Sequence, residues 1–160
     1  MSVSHKYKML RNYTPHDAER LAAVYRDAVR SIGPQAYSPH QVEVWAAYPE
    51  DIEEFRGRLS RGHTLVAEID GEVVAFGQIE PSDHIAFLYC VGRESRKGIC
   101  SEILHVLEQY AHSHGVSELD TDASRISRPF FEKHGFCVIE VEHVVRLGVN
   151  FERFRMKKKK

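Results

Sequence analysis

The strongest constraint on this chain is a run of three strand signals that ends in a basic, glycine-bearing loop and passes directly into a helix. Leu65, Val66, Ala67, Glu68 and Ile69 read as a strand, Asp70-Gly71 is a two-residue hairpin turn, and residues 72–80 read as the returning strand. Pro81-Ser82-Asp83 turns the chain again and residues 85–91 form a third strand, giving an antiparallel meander. Gly92-Arg93-Glu94-Ser95-Arg96-Lys97-Gly98 follows, and then Ile99, Ile103, Val106, Leu107 and Tyr110 recur at helical spacing as far as Gly115. A short strand over 117–121 comes after the helix. It is expected to pair parallel to the third meander strand, because parallel neighbours are joined by such a crossover.

The flanking segments supply the remaining elements. A loosely alternating strand covers 6–13. Thr14, Pro15 and Asp17 then start a helix that carries Leu21, Val24, Tyr25, Ala28 and Val29 to about residue 31. Ser38-Pro39 opens a second, short helix with Val42, Trp45 and Ala46, and Pro49 ends it. Residues 50–61 form a third, acidic at its start and basic at its end, as the helix dipole favours. Beyond 121, a short helix over 127–134 stops at Gly135, and two final strands are expected over 136–141 and 143–149. No internal repeat or linker interrupts the pattern. The expectation is therefore an α+β chain built on one mostly antiparallel sheet, with a single domain over 1–156 and a solvated basic tail over 157–160.

Composition narrows the function. Apolar residues are 42% and charged residues 28% of 160, an ordinary globular mix. No apolar run reaches the roughly 18 residues of a membrane span. The first residues lack a secretory apolar stretch, so no membrane partner is expected and the cytoplasm is the expected compartment. Net charge is −1, and setting aside the four terminal lysines leaves −5, which argues against nucleic acid as a partner. Cys90, Cys100 and Cys137 cannot close a disulfide framework. His112 and His114 face apart on a helix, and His105 and His112 align without a third ligand, so no metal site is expected.

The glycine loop before the long helix has the chemistry of an anion site. A helix start offers unpaired amides and partial positive charge, glycine allows close approach, and Arg93, Arg96 and Lys97 add cations. The same pattern also fits an exposed strand-to-helix loop. Gly98 is followed by Ile99, so the loop is not a P-loop, and no GxGxxG is present.

With these residues in view, the sequence resembles the GNAT superfamily of acyl-CoA-dependent N-acetyltransferases. The family's strand, loop and helix motif is matched from Leu88 through Ser101, and a second motif runs from Ala123 to the Gly135-Phe136 pair. Tyr37-Ser38, Gln41 and Trp45 resemble a bacterial branch of uncharacterised acetyltransferases. The resemblance implies a mixed sheet flanked by helices, with a splay between strands 4 and 5 that holds acetyl-CoA as cosubstrate. It places the pantetheine arm and acetyl carbonyl on Leu88, Tyr89 and Cys90, and the pyrophosphate on Arg96, Lys97, Gly98, Ile99, Cys100 and Ser101. Ser124 stands where an Asn often donates to the cofactor arm. The sequence departs from the family at Ser95, in place of the loop-opening Arg or Gln, at Cys100, in place of a Gly or Ala, and at Phe131, in place of the frequent general-acid Tyr.

The expected activity is direct transfer of acetyl to a primary amine, of a small molecule more than of a protein. Glu80 and Asp122 are the candidate bases and Tyr89 is the candidate acid. Asp120 shares a strand face with Asp122. His84 is read as a turn residue, and Cys100 as a thiol that a helix start could acidify. Trp45, Tyr37 and Tyr48 are read either as an aromatic wall at the acceptor or as packing against the sheet. The rival reading is a non-catalytic acyl-CoA-binding module, motivated by the three departures. A more distant one is a general protein-interaction domain. A homodimer formed through the final strands is also open.

Overall fold

The computed structural model describes residues 7–159. β1 (Lys8–Asn12) leads through a 3₁₀ turn at Pro15–Asp17 into α1 (Ala18–Ile32), and α2 (Pro39–Ala46) and α3 (Ile52–Ser60) follow. β2 (His63–Ile69), β3 (Glu72–Ile79) and β4 (His84–Cys90) form the meander, and α4 (Ile99–Ser113) crosses to β5 (Glu118–Ala123). α5 (Arg128–Lys133), β6 (Cys137–Arg146) and β7 (Val149–Lys159) complete the chain. The start of the first expected strand, Lys6, lies outside the described residues.

Local chemistry explains most boundaries. The Ser38 hydroxyl accepts from the Gln41 amide at 3.1 Å while the Gln41 side chain accepts from the Ser38 amide at 2.9 Å, a reciprocal cap with Pro39 at the first helical position. The Asp51 carboxylate caps α3 one way, accepting from the Glu54 amide at 3.2 Å. Asp70 and Gly71 both adopt positive φ, 53° and 80°, as a two-residue hairpin turn requires.

At the chain's end the structure corrects the sequence reading. Residues 137–146 form one strand rather than two, and the turn falls at Leu147-Gly148, with φ of 48° and 74°. β6 is an edge strand with little buried surface, so its period-two signal is weak, and leucine does not announce a left-handed turn. The expected basic tail is also corrected. Lys157, Lys158 and Lys159 belong to β7, opposite Asp120, Leu119 and Glu118 of β5. β7 lies between β5 and β6 and is bonded on both sides, so its backbone polar groups are satisfied by the ladder. Lys157 reaches Glu118 at 3.1 Å and Lys158 reaches Glu108 at 2.6 Å, which neutralises the run. Lys160 lies outside the described residues.

The seven strands form one sheet in the order β1-β2-β3-β4-β5-β7-β6, antiparallel except for β4 beside β5. Phe55 of α3 and Tyr25 of α1 pack with Phe76 and Phe87 on one face, and α4 covers the other with Ile103, Leu104 and Leu107. α4 lies so close that a Cβ on Gly77 of β3 would stand 2.6 Å from an Ile103 methyl.

A partly buried ion pair ties β1 to the start of α1. Arg11 donates two hydrogen bonds to Asp17, each 2.8 Å, and the Thr14 amide adds a third at 2.8 Å. The Arg11 guanidinium holds the Asp17 carboxyl below its ordinary value, against partial burial. A depressed carboxyl contributes stability above the unfolded-state pKa and loses it as pH falls through the folded value. Asp17→Asn is therefore expected to cost about 1–3 kcal/mol at pH 7, and the difference from the parent should shrink in acid, read by urea unfolding at several pH values.

Candidate active site

The site begins where the sheet opens. β4 and β5 pair at only two positions, His84 with Asp120 and Ile85 with Thr121. The Asp120 amide donates to the Asp83 carbonyl at 2.9 Å, and the Thr121 hydroxyl donates to the Ile85 carbonyl at 2.9 Å. Beyond them β5 follows β7, with Asp122 opposite Arg155, while β4 follows β3. The Val91 amide donates to the Val74 carbonyl at 2.9 Å and Tyr89 lies opposite Phe76. Strand alternation then turns the backbone of Tyr89 toward β3 and the backbones of Leu88 and Cys90 toward the opening. A cavity of about 910 Å³ occupies the opening and extends over α2 and α3.

The loop after β4 is fixed by α1. The Gly92 amide donates to the Asp27 carboxylate at 2.7 Å, and a Cβ on Gly92 would lie 2.4 Å from the Ser31 hydroxyl. Ser95 closes the loop by donating to the Gly92 carbonyl at 2.7 Å. Arg96 and Gly98 take positive φ, 62° and 87°. The first bond of α4 runs from the Glu102 amide to the Gly98 carbonyl at 3.0 Å, so the amides of Ile99, Cys100 and Ser101 precede the helical ladder. The cations divide. Arg93 turns to Glu72 and Lys97 to Glu94 at 3.2 Å, whereas Arg96 lines the cavity.

The Cys90 thiol donates to the Val91 carbonyl at 3.4 Å at the base of this loop. Interaction with the Cys90 thiol, with burial, pushes the Cys100 thiol up, and the same interaction draws the Cys90 thiol down. Cys100 is therefore not the acidified helix-start thiol the sequence suggested. Ser124 and Ser127 bond reciprocally, each hydroxyl taking the other's amide at 3.0 and 2.9 Å. Phe131 is buried against Phe130 and Phe136, with ring centroids 5.3 and 5.2 Å away.

Titratable groups gather at the closed end of the opening. The His84 Nδ1 hydrogen-bonds an Asp120 carboxylate oxygen, and its Nε2 lies 3.8 Å from Asp122. Asp122 also faces Arg153 at 3.8 Å and Arg155 at 4.0 Å. Glu80 lines the same cavity. Tyr89 lies on the α1 face, its ring 4.5 Å from that of Tyr25. Burial pushes its phenol up, and hydrogen bonds donated by Trp45 and Tyr25 oppose the shift. The Trp45 ring stands edge-on to Tyr37 at 5.4 Å, so it joins the wall as well as the packing.

The sequence reading placed Glu80, Asp122 and Tyr89 near the splay but passed over His84 as a turn residue. The period-two spacing of Asp120 and Asp122 was the available signal. Both carboxylates point to one side of β5, and the parallel register brings His84 between them.

A parallel strand pair that opens beside a helix start makes a cleft with amide donors along it, suited to an extended anionic ligand. The comparisons agree. A family model described as an Acetyltransferase (GNAT) domain matches residues 34–159. The uncharacterized N-acetyltransferase YafP of Escherichia coli (strain K12) is 33% identical over 151 residues, covering 94% of this chain and 95% of that protein. A GCN5-related N-acetyltransferase from Rhodopseudomonas palustris, whose structure also carries the words aminotransferase, class-II, superposes with a TM-score of 0.93 at 30% identity, over 100% of this chain and 99% of that one. The PaiA N-acetyltransferase of Thermoplasma acidophilum, solved in complex with coenzyme A, has the same fold, with a TM-score of 0.79 at 21% identity over 96% and 99%. The chain belongs to the GNAT acetyltransferase family. Among the described residues, no helix is long and apolar enough to cross a membrane.

Proposed function

We propose that this protein transfers the acetyl group of acetyl-CoA directly to the primary amine of a small molecule. The observation that carries the reading is the β4–β5 opening, which has an anion-accepting helix start along one side and the His84–Asp120 pair at its closed end. The amides of Ile99, Cys100 and Ser101, with Arg96, suit a diphosphate. The backbones of Leu88 and Cys90 suit the pantetheine arm and the thioester oxygen, since amide dipoles stabilise both without side-chain help. Lys97 and Gly98 contribute backbone to the same loop, and Ser124 faces the cavity from its far wall.

Acetyl-CoA supplies an activated thioester, and the chain's task is to position it and to manage two protons. His84 is the base of choice. Asp120 holds Nδ1, which leaves Nε2 to accept the amine proton. Asp122 has its charge shared among His84, Arg153 and Arg155, so it serves to orient and balance the cluster. Glu80 adds a carboxylate that attracts the amine and stands as the alternative base. Tyr89 takes the place that Phe131 vacates. Burial keeps its phenol protonated, so it can serve as the acid that gives a proton to the leaving sulfur.

The testing experiment is calorimetric titration with acetyl-CoA, followed by thiol release across a panel of amines. Saturable binding with amine-dependent release of CoA supports an enzyme. Binding without release against every amine supports the acyl-CoA-binding module, which the buried Phe131 favours. No binding at millimolar acetyl-CoA removes both. Direct transfer further requires that the intact mass of the protein gain no acetyl adduct during turnover.

A further inference from the structure

The cavity wall made by α3, the segment after α2 and the end of β6 carries an arrangement the acetyl-transfer chemistry does not use. The Tyr48 ring packs against Tyr25, Phe55 and Phe87, at centroid distances of 5.6, 6.2 and 6.0 Å. Its hydroxyl is buried and has no hydrogen-bond partner. Burial pushes this phenol up, so it stays a donor, and Arg58 leads the opposing effects. The Arg58 guanidinium sits 5.7 Å from the centre of the Tyr48 ring, and that of Arg146 sits 5.8 Å from it. Among the described residues neither guanidinium has an ion-pair partner, whereas Arg153 in the same cavity is held by Glu142 at 2.8 Å.

The buried Tyr48 hydroxyl is costly without an acceptor, and the half-buried Arg58 and exposed Arg146 beside its ring add cations that favour an anion there. Guanidinium groups recognise planar carboxylates through paired N–H bonds, and a phenol adds one more. Elsewhere in the cavity the balance is reversed, because Glu80 and Asp122 line it together with His84, whose Nδ1 Asp120 holds. A ligand that satisfies both regions carries an amine and a carboxylate. The same cavity is lined by Tyr37, Trp45 and Phe151, with the last two ring centroids 5.4 and 6.0 Å from Tyr37, which offers apolar surface to a side chain.

We infer that the acceptor is a free amino acid, its carboxylate held by Arg58, Arg146 and the Tyr48 hydroxyl while its amine faces His84. This rests on the acetyl-transfer reading above and narrows it to one acceptor class. A lone amine leaves the buried Tyr48 hydroxyl without an acceptor and gives the two guanidiniums no counter-charge, and a protein lysine carries no carboxylate of its own to reach them.

The test compares matched pairs, L-phenylalanine with phenethylamine and L-leucine with isoamylamine, by thiol release from acetyl-CoA with the full-length protein. The amino acids are expected to exceed their decarboxylated partners by about 100-fold in kcat/KM, since a site that pairs a carboxylate rejects an analogue that lacks it. Arg58→Gln and, separately, the exposed Arg146→Gln are expected to raise KM for the amino acids about tenfold, with kcat and the acetyl-CoA KM retained. The decarboxylated amines should show no such rise. Equal or better turnover of the decarboxylated amines overturns the carboxylate site and leaves acetyl transfer standing. Unchanged amino-acid KM in both arginine variants overturns it too. Bound acetyl-CoA with no turnover of either set overturns the enzyme reading, and this inference with it.

Discussion

Gly98→Val is expected to weaken acetyl-CoA binding by about 100-fold, equivalent to roughly 2.7 kcal/mol. Two effects combine at this position. The backbone φ of 87° is one that a β-branched residue adopts only under strain, so the loop must rearrange. A Cβ built there meets nothing within 4 Å, so a side chain does not collide with the protein and projects into open space at the start of α4. That space adjoins the amides of Ile99, Cys100 and Ser101. Folding should suffer far less than binding, because no core contact is lost. Calorimetric titration alongside thermal unfolding separates the two. Retained affinity in a folded variant would move the diphosphate away from this loop. Arg96→Gln offers a milder check through charge alone.

His84→Gln is expected to lower kcat by about 100- to 1,000-fold, the usual contribution of a positioned base, with acetyl-CoA affinity unchanged. The imidazole is held between two carboxylates, hydrogen-bonded to one and 3.8 Å from the other. Glutamine keeps much of the volume but cannot take up a proton. Added imidazole should recover part of the lost rate, a response that a merely structural histidine would not show. Asp120→Asn should cost about tenfold, because the asparagine can still touch Nδ1 but does not fix the tautomer. If His84→Gln turns over normally and Glu80→Gln does not, the proton passes through Glu80 instead.

Several parts of this site were legible residue by residue. Asp70-Gly71 announced the hairpin, Ser38-Pro39 the start of α2, and the stretch from Gly92 to Ile99 the strand-to-helix loop, because each depends on backbone preferences a few residues long. The β6–β7 turn was not legible, since Leu147-Gly148 lacks the usual first turn residue and β6 is too exposed to show a clean alternation. The four lysines misled for a related reason. Charge density predicts a solvated end, and only the insertion of β7 between β5 and β6 gives residues 157–159 a ladder and brings Lys157 and Lys158 to their acids.

The same division separates the two halves of the site. The cofactor loop is local in sequence, with its strand edge, glycine and helix-start amides all lying between Leu88 and Ser101. The sequence by itself therefore determined which family the chain resembles, and the place proposed for acyl-CoA follows from that resemblance. The acceptor side is assembled from segments that meet only after folding. His84 finds Asp120 through the register of a parallel pair, and Tyr48 gathers Arg58 and Arg146 from a helix and from the end of an edge strand. Side-chain spacing encodes period, face and cap, but the order of strands in the sheet is set by the burial of the whole core. The chemistry that depends on that order was decided by the tertiary structure alone.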